Sequence, residues 1–335
     1  MRKLILWIAE HPTLTISFCL LAGFVLLNLL AYRHAWSMTH FASANGRARR
    51  PDTLREHSES LSWFERMRLA VKGVAVTKPS EEVQPESLEL PYDLHTYAGV
   101  VGRLAAWHIP HSHSAGRIVL FHGYNACKAQ LLPEARAFHD LGYACFLVDF
   151  RGSGGSDGDR TSIGYHEADD VTRTVDYVRR RWPNEPLILF GQSMGAAAAL
   201  RALSRHKIEA DAIVLECPFD RLLSTVEARF ATTGLPSFPA AQLLVFWGGI
   251  QHGYNGFDHN PADYARQVTC PALLMHGLGD TRVSCGQIQS LYRNLAGAKH
   301  LHFFEGVGHQ SYAAIRPEEW KDCVARFLHH RAPIQ

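Results

Sequence analysis

The chain has 335 residues, of which 47% are hydrophobic and 20% are charged, so it can bury one large core or two modest ones. Its 34 basic and 32 acidic side chains leave a formal net charge of +2, which argues against the basic surface of a nucleic-acid-binding protein. The seven cysteines include no C-x-x-C pair and the 20 histidines no H-E-x-x-H spacing, which argues against a disulfide framework and a zinc site.

The N-terminal segment contains an apolar run from Pro12 to Tyr32 without a charged side chain. About 20 residues at a rise of 1.5 Å span a hydrocarbon core, so residues 1–34 are predicted to form a single membrane anchor. A cleaved signal peptide is the competing interpretation, because Arg2 and Lys3 precede the run, although no clean A-x-A site follows it. A buried core helix is a third. More basic residues follow the run than precede it, which favours a cytoplasmic position for the rest of the chain.

Residues 35–87 are predicted to form a juxtamembrane segment. Its first part is polar and basic and contains "ANGRARRPD". The stretch "LSWFERMRLAVKGVAV" (61–76) then places apolar residues at three- and four-residue spacings, which predicts an amphipathic helix. This helix would lie on the membrane surface or pack on the domain that follows, and the sequence leaves both possibilities open.

Strands and helices alternate from Leu94 onward. The predicted strands are "GVVGRLAAWHIP", "GRIVLFHG", "YACFLVDF", "PLILFGQS", "DAIVLECP", "PALLMHGLGD" and "KHLHFFEG". The predicted helices are "AQLLPEARAFHDLG", "HEADDVTRTVDYVRRRW", "MGAAAALRALSRH", "CGQIQSLYRNLAG" and "PEEWKDCVARFLHH". Such alternation predicts an α/β domain over residues 88–335, with a mostly parallel sheet and helices on both of its faces.

The stretch over residues 219–267 interrupts this alternation. It contains "LPSFPAAQLLVFWGGIQHGYNGFDHNP", which is dense in aromatic and helix-breaking residues, and it is predicted to form a small lid over the strand ends. Phe246, Trp247 and Tyr254 are candidates for lining a substrate pocket there, and the alternative is that they form the lid's own small core.

Three residues suited to nucleophilic catalysis follow three separate strands, in the order Ser193, Asp280 and His309. The carboxyl ends of parallel strands meet at one edge of a sheet, where such folds place their chemistry. A serine hydroxyl becomes a good nucleophile when an imidazole accepts its proton, and a carboxylate fixes and stabilises that imidazole. Gly191 and Gly195 flank the serine and allow the strained turn that would expose it.

This constellation resembles the α/β-hydrolase family over about residues 94–330. The motif "GQSMG" matches the nucleophile elbow of that family, and "HGLGDTRV" and "GVGHQ" match its acid and histidine segments. The resemblance implies the α/β-hydrolase fold, with Ser193 as nucleophile, Asp280 as acid and His309 as base. It also implies an oxyanion hole made by the backbone N–H groups of Tyr124 and Met194.

Two other residues and one loop near these motifs have competing interpretations. Asp220 in "ECPFD" also follows a strand and is the rival acid, although the G-x-x-D ending favours Asp280. His122 in "FHGYNA" could be mistaken for a catalytic residue, but the preferred interpretation is that it braces the loop. The Gly-rich "DFRGSGGSDG" lacks the final glycine of the nucleotide-binding G-x-G-x-x-G pattern, so its glycines are assigned to turns.

The predicted function is that of a membrane-anchored serine hydrolase that cleaves carboxylic esters or thioesters. The chain resembles single-domain hydrolases tethered by an N-terminal helix, including lipase-like and acyl-protein-thioesterase-like members. No cofactor and no metal is expected, and the substrate would be a small acyl ester, a lipid or an acylated molecule. A peptidase of the same fold and a hydrolase-like domain that binds without catalysis are the alternatives.

Overall fold

A computed structural model describes residues 11–42, 76–231 and 236–329 of the chain. The amphipathic helix predicted over residues 61–76 lies outside the described residues except for its last position. The described strands are β1 (Phe41–Ala42), β2 (Val76–Thr77), β3 (Asp93–Ala98), β4 (Arg103–Ile109), β5 (Arg117–Phe121), β6 (Ala144–Val148), β7 (Leu187–Gln192), β8 (Ala212–Glu216), β9 (Ala272–Gly277) and β10 (Lys299–Phe304). The described α-helices are α1 (Pro12–Thr39), α2 (Leu132–Asp140), α3 (Glu167–Arg181), α4 (Met194–Arg201), α5 (Leu222–Ala231), α6 (Ala240–His252), α7 (Pro261–Tyr264), α8 (Cys285–Asn294), α9 (Tyr312–Ile315) and α10 (Pro317–His329).

One eight-stranded sheet organises the domain, with the strand order β10-β9-β8-β7-β5-β6-β4-β3. The strands from β10 to β6 pair in parallel, whereas β4 pairs antiparallel with both β6 and β3. The prediction of a mostly parallel sheet is therefore confirmed. Parallel strands need crossover connections, and the sequence supplies helices for that purpose between them.

Each face of the sheet carries its own hydrophobic core. Val119 and Phe121 of β5 point into a core with helices α3, α4 and α8, while Ile118 and Leu120 point into a core with α2 and α10. All five residues of β5 are buried. Burial on both faces explains why the central strands are near-continuous apolar runs, and the prediction of helices on both faces is confirmed.

Strand β3 was not predicted, because its pattern is that of an exposed edge. It lies at the end of the sheet beside β4, and of its residues only Tyr97 is buried. A strand with one partner and little buried surface lacks the apolar run by which the central strands were recognised.

The N-terminal helix α1 divides into two parts that differ in environment. Its first part is apolar and exposed to the outside of the domain, with only 6% of its most apolar 18-residue window buried. Its last part packs on the domain through Ala31, Ala35 and Thr39, which are buried and spaced four residues apart on one face. By length and composition, α1 is long and apolar enough to cross a membrane.

Candidate active site

The turn between β7 and α4 holds Ser193 in a strained conformation, with φ 51° and ψ −109°. The backbone N–H of Ser193 donates to the carbonyl oxygen of Glu216 at 2.8 Å, which ties this turn to the end of β8. A Cβ atom on Gly195 would collide with the carbonyl oxygen of Phe121, and one on Gly191 would lie 2.6 Å from the backbone of Ala196. The sharp turn therefore requires glycine at both positions, and it lifts the serine hydroxyl above the edge of the sheet.

The structure brings the three predicted catalytic side chains into one hydrogen-bonded chain. Nε2 of His309 lies 3.0 Å from Oγ of Ser193, and Nδ1 of the same ring lies 2.7 Å from Oδ2 of Asp280. Asp280 comes from the turn after β9 and His309 from the loop after β10. These two segments touch, because the backbone N–H of Gly279 donates to the carbonyl oxygen of Val307 at 2.9 Å.

The carboxylate of Asp280 is held in its ionised form. Burial alone would raise its pKa, but the hydrogen bond and charge of His309, together with the backbone N–H groups of Val283 and Arg282, lower the pKa below its ordinary value. Those N–H groups donate to Oδ1 at 3.0 and 2.7 Å, which leaves Oδ2 for the imidazole. The side chain of Asp280 is fully buried and that of His309 is 12% exposed, so the imidazole is partly open to solvent while the carboxylate is not.

The rival acid, Asp220, lies in a different set of contacts. Its Oδ1 accepts hydrogen bonds from Ser224 Oγ at 2.6 Å and from Gln287 Nε2 at 2.7 Å. These contacts join the start of α5 to the start of α8. The geometry thus gives Asp220 a part in holding the segment after β8, and it gives Asp280 the contact with the imidazole.

Comparisons with known proteins agree with this architecture. A family model described as serine aminopeptidase, S33, matches residues 112–244. The solved structure of the esterase Pf2001 of Pyrococcus furiosus is similar with a TM-score of 0.64 and 24% identity, covering 75% of this chain and 97% of that chain. The chain has the α/β-hydrolase fold.

Two further proteins are similar to this chain in sequence. It is 26% identical over 231 residues to the uncharacterized protein YqkD of Bacillus subtilis, over 67% of this chain and 75% of that protein. It is 24% identical over 249 residues to the lysophosphatidylserine lipase ABHD12 of Danio rerio, over 68% of this chain and 62% of that protein. The family match ends before Asp280 and His309, so the assignment of those two residues depends on the geometry around Ser193.

The loop after β5 runs beside the serine of the hydrolase. A Cβ atom on Gly123 would lie 3.7 Å from the Cβ of Ser193, so the backbone that enters Tyr124 passes directly over the turn. His122 lies fully buried beneath it, where Phe150 N–H donates to Nε2 at 3.1 Å and Nδ1 donates to the Gly123 carbonyl at 2.8 Å. Burial lowers the pKa of His122 to about 4, so the ring is neutral and holds the loop in place.

Met194 begins the helix that follows the serine. It is the first residue of α4, and its N–H belongs to the four at a helix N-terminus that have no partner within the helix. The partial positive charge of a helix N-terminus favours a developing negative charge at this position.

A residue that the sequence analysis missed is Glu216, the fully buried last residue of β8. Its Oε1 accepts from Gln192 Nε2 at 3.0 Å and from Tyr312 N–H at 3.1 Å, and its Oε2 accepts from Trp320 Nε1 at 3.2 Å. One carboxylate therefore joins the residue before Ser193 to the two helices that follow His309. The available signal was a glutamate that closes the buried apolar run "AIVLE", where a charge needs several partners.

A second buried carboxylate, Glu134 of α2, lies close to Glu216. Ser311 Oγ donates to one oxygen of Glu134, and within the described part of the chain its other oxygen has no hydrogen-bond partner. Burial raises the pKa of Glu134, and the charge of Glu216 raises it further. Burial also raises the pKa of Glu216, in spite of the hydrogen bonds that it accepts. The pair therefore resists double ionisation.

This pair predicts a pH dependence of stability. A carboxyl group whose pKa is raised on folding above its ordinary value of 4.5 does not lower the free energy of unfolding below pH 4.5. As the pH rises from there through the folded-state pKa, the free energy of unfolding decreases. Glu134→Gln should remove part of this loss, so its apparent melting temperature should fall less than that of the wild type between pH 5 and pH 8, by about 2–4 °C. Thermal unfolding of the full-length protein in detergent measures this difference. Glu86→Gln, at an exposed carboxylate, is the control, and an equal fall in the wild type and Glu134→Gln would contradict the prediction.

Of the three predicted pocket residues, Phe246 and Trp247 lie on the outer side of the β8–β9 insertion, whereas Tyr254 packs inward against the segment before α3. Nε1 of Trp247 donates to Oδ1 of Asn28 on α1 at 3.2 Å, and Phe246 is 44% exposed. Tyr254 stacks on Tyr165 with ring centroids 4.0 Å apart and donates its hydroxyl to a backbone carbonyl. A contribution of these residues to a substrate pocket stays a prediction.

One group of described side chains has the types and spacing of metal ligands, namely Asp93, His95 and His108, whose ligand atoms lie within 4.8 Å of one another. The group lies on β3 and β4 at the edge of the sheet. Tyr177 hydroxyl lies 2.8 Å from Nδ1 of His95, and Trp182 packs against the ring of His108 at 4.6 Å. Burial lowers the pKa of both histidines, so these contacts account for them as neutral packing residues.

Proposed function

We propose that this hydrolase is a membrane-anchored serine hydrolase that cleaves carboxylic esters or thioesters through an acyl-enzyme. The observation that carries the proposal is the hydrogen-bonded chain from Ser193 through His309 to Asp280, which begins at a strained strand-to-helix turn. A serine in such a turn, with an oriented imidazole as base, is the arrangement that activates a weak nucleophile.

The mechanism follows from the atoms in contact. Nε2 of His309 takes the proton of Ser193 Oγ as the oxygen attacks the substrate carbonyl carbon, while Nδ1–H stays bonded to Asp280. The backbone N–H groups of Tyr124 and Met194 would hold the oxyanion. His309 then gives the proton to the leaving alcohol or thiol, and the acyl group remains on Ser193. A water molecule, deprotonated by the same imidazole, releases the acid and restores the serine.

The neighbouring thiol is not a competing nucleophile. Sγ of Cys217 lies 4.0 Å from Nε2 of His309. Burial, followed by the charges of Glu216 and Asp280, raises the pKa of this thiol well above its ordinary value. The thiol stays protonated, so Ser193 is the group that the imidazole activates.

The membrane anchor is proposed from the two parts of α1. Its exposed apolar part fits a bilayer, and its buried C-terminal part favours a helix that is retained over a signal peptide that is removed. The last turn of α1 is joined to the catalytic domain by Thr161 N–H, which donates to the Thr39 carbonyl at 2.9 Å, and by Tyr124 hydroxyl, which donates to the Met38 carbonyl at 2.6 Å. A lipid ester or an acylated molecule at the membrane is the substrate class that suits this position. The likeness to a lysophosphatidylserine lipase supports the same class.

A panel of p-nitrophenyl esters of increasing acyl length tests the proposal, with the full-length protein in detergent. The expected result is turnover that rises with acyl length beyond acetate. An aminoacyl p-nitroanilide in the same panel tests the peptidase alternative, which the family model's description favours. Cleavage of the anilide without cleavage of the esters would replace the esterase by a peptidase, and no turnover of either would favour a binding domain.

The proposed oxyanion donor predicts a further result. Tyr124→Pro removes one backbone N–H and should lower ester turnover by about 10²–10³-fold, as the loss of an oxyanion donor does elsewhere. Tyr124→Phe is the matched control, because it keeps the N–H and removes the hydroxyl that is bonded to Met38. Turnover of a soluble ester and the far-ultraviolet circular dichroism of both variants are the measurements. Wild-type turnover in a folded Tyr124→Pro would assign the second donor to another residue.

A further inference from the structure

Helix α6 of the β8–β9 insertion lies across the C-terminal part of α1. Three contacts define how it crosses: the ring of His252 lies 5.2 Å from that of His40, a Cβ on Gly248 would lie 4.0 Å from the Cβ of Ala35, and Trp247 Nε1 lies 3.2 Å from Asn28 Oδ1. Neighbouring positions of α6 therefore meet positions of α1 that are more than one turn apart. Such a pattern requires α6 to lie across α1 and not along it.

The side of α6 that faces away from the domain is the side that contacts α1 closest to the N-terminus of α1. The domain side is marked by the buried residues Ala241, Val245 and Gly249. At about 100° per residue, Trp247 lies roughly 200° around the helix from Val245, on the outer side. The contact of Trp247 with Asn28 therefore shows how far along α1 the outer side of α6 extends.

Asn28 lies inside the uncharged run of α1, five residues before Arg33. At a rise of 1.5 Å per residue this is about 7 Å along the helix from Arg33 toward the N-terminus. Interfacial helices bury their apolar faces by about 5–10 Å into the boundary between headgroups and acyl chains. The outer side of α6 therefore reaches that boundary if α1 spans the membrane.

The chemistry of the outer side fits this depth. The sequence has no Asp, Glu, Lys or Arg between Arg229 and Asp258. Ile250 is 58% exposed, Phe246 44% and Phe238, just before α6, 74%. Exposed side chains of this size, continuous with an apolar anchor and flanked by Trp247 with its polar edge bonded, form the aromatic and aliphatic surface that membrane interfaces accommodate.

We propose that the outer face of α6, formed by Phe246, Trp247 and Ile250 and extended by Phe238, inserts into the same membrane leaflet as the end of α1. This inference rests on the anchoring in the proposed function. The domain would then be held by two adjacent elements, with Tyr124 hydroxyl bonded to the end of α1 and Arg229 of α5 over the Tyr124 ring at 5.4 Å. The oxyanion loop would lie at the membrane surface, where an acyl lipid can reach Ser193 without crossing bulk water.

A fluorescent probe on α6 tests this insertion in the full-length protein. Ile250→Cys is made in a Cys19→Ser background, since Cys19 is exposed, and is labelled with an environment-sensitive thiol dye in phosphatidylcholine vesicles that carry spin-labelled lipid. The matched control is Leu94→Cys, which is 75% exposed on the edge strand β3. The labelled Cys19→Ser parent gives the background from the other cysteines. We expect the Ile250 probe to be quenched about twofold or more above the Leu94 probe.

The outcomes separate this inference from the proposed anchor. Carbonate-washed vesicles are sedimented first, and a chain that stays in the supernatant would contradict the anchor and the insertion together. A chain that pellets while the Ile250 probe is quenched no more than the Leu94 probe would overturn the insertion alone, and would favour a protein partner for this face. Ile250→Asp adds an independent readout: hydrolysis of a long-chain ester in vesicles should fall about tenfold, with turnover of a soluble short ester unchanged. Equal rates on the vesicle ester would also overturn the insertion.

Discussion

Replacing Ser193 by alanine should lower ester turnover by about 10⁶-fold, the loss found when the nucleophile of a complete triad is removed. The fold should be retained, because the glycines that shape the turn remain and, within the described part of the chain, the hydroxyl makes one side-chain hydrogen bond, to His309 Nε2. Initial rates on the best p-nitrophenyl ester of the panel, measured in detergent, give the result. Ser87→Ala, at an exposed serine in the short turn before β3, is the control and should keep wild-type turnover. Turnover within tenfold of the wild type in Ser193→Ala would exclude this serine as the nucleophile.

Asp280→Asn should lower turnover by about 10⁴-fold, as the equivalent change does in the best-studied Ser-His-Asp enzyme. An amide at this position would offer an N–H to Nδ1 of His309, or would lose the charge that stabilises the protonated ring. The amide N–H disfavours the tautomer in which Nε2 can accept the serine proton, and the loss of charge destabilises the imidazolium that forms when Nε2 accepts it. The rate of the soluble ester, followed from pH 6 to pH 9, measures the loss and shows whether a higher pH recovers it.

Asp220→Asn is the matched variant for the acid assignment. Its carboxylate contacts Ser224 and Gln287, and an asparagine oxygen can still accept both hydrogen bonds. We therefore expect at most a few-fold loss of turnover. A severe loss in Asp220→Asn, with near-normal rates in Asp280→Asn, would exchange the roles of the two aspartates.

The central fold could be predicted because its elements repeat a strong pattern. Strands such as β5 and β7 are short apolar runs buried on both faces, and helices such as α3 combine an acidic first turn with a basic last turn. Order along the chain then placed Ser193, Asp280 and His309 at one edge of the sheet. The edge strand β3 lacked such a pattern, since its alternation buries a single side chain.

The contacts that join distant segments could not be predicted in the same way. Trp247 donates to Asn28, and Glu216 meets Tyr312 and Trp320, across separations that no local periodicity encodes. An aromatic residue in a breaker-rich insertion has the same sequence signature whether it faces a substrate, a core or an anchor helix. A single glutamate at a strand end likewise does not reveal which partners will compensate its burial.

Labelling with a fluorophosphonate tests the central claim most directly, because the reagent forms a covalent bond with an activated serine and not with an ordinary one. The claim predicts one adduct per chain, on the peptide that contains Ser193, found by mass spectrometry of the digested full-length protein. His309→Ala should suppress the labelling, since Oγ then has no base within reach, and Ser87→Ala should leave it unchanged. An adduct on another serine, or labelling that persists in Ser193→Ala, would contradict the assignment of Ser193 as the nucleophile.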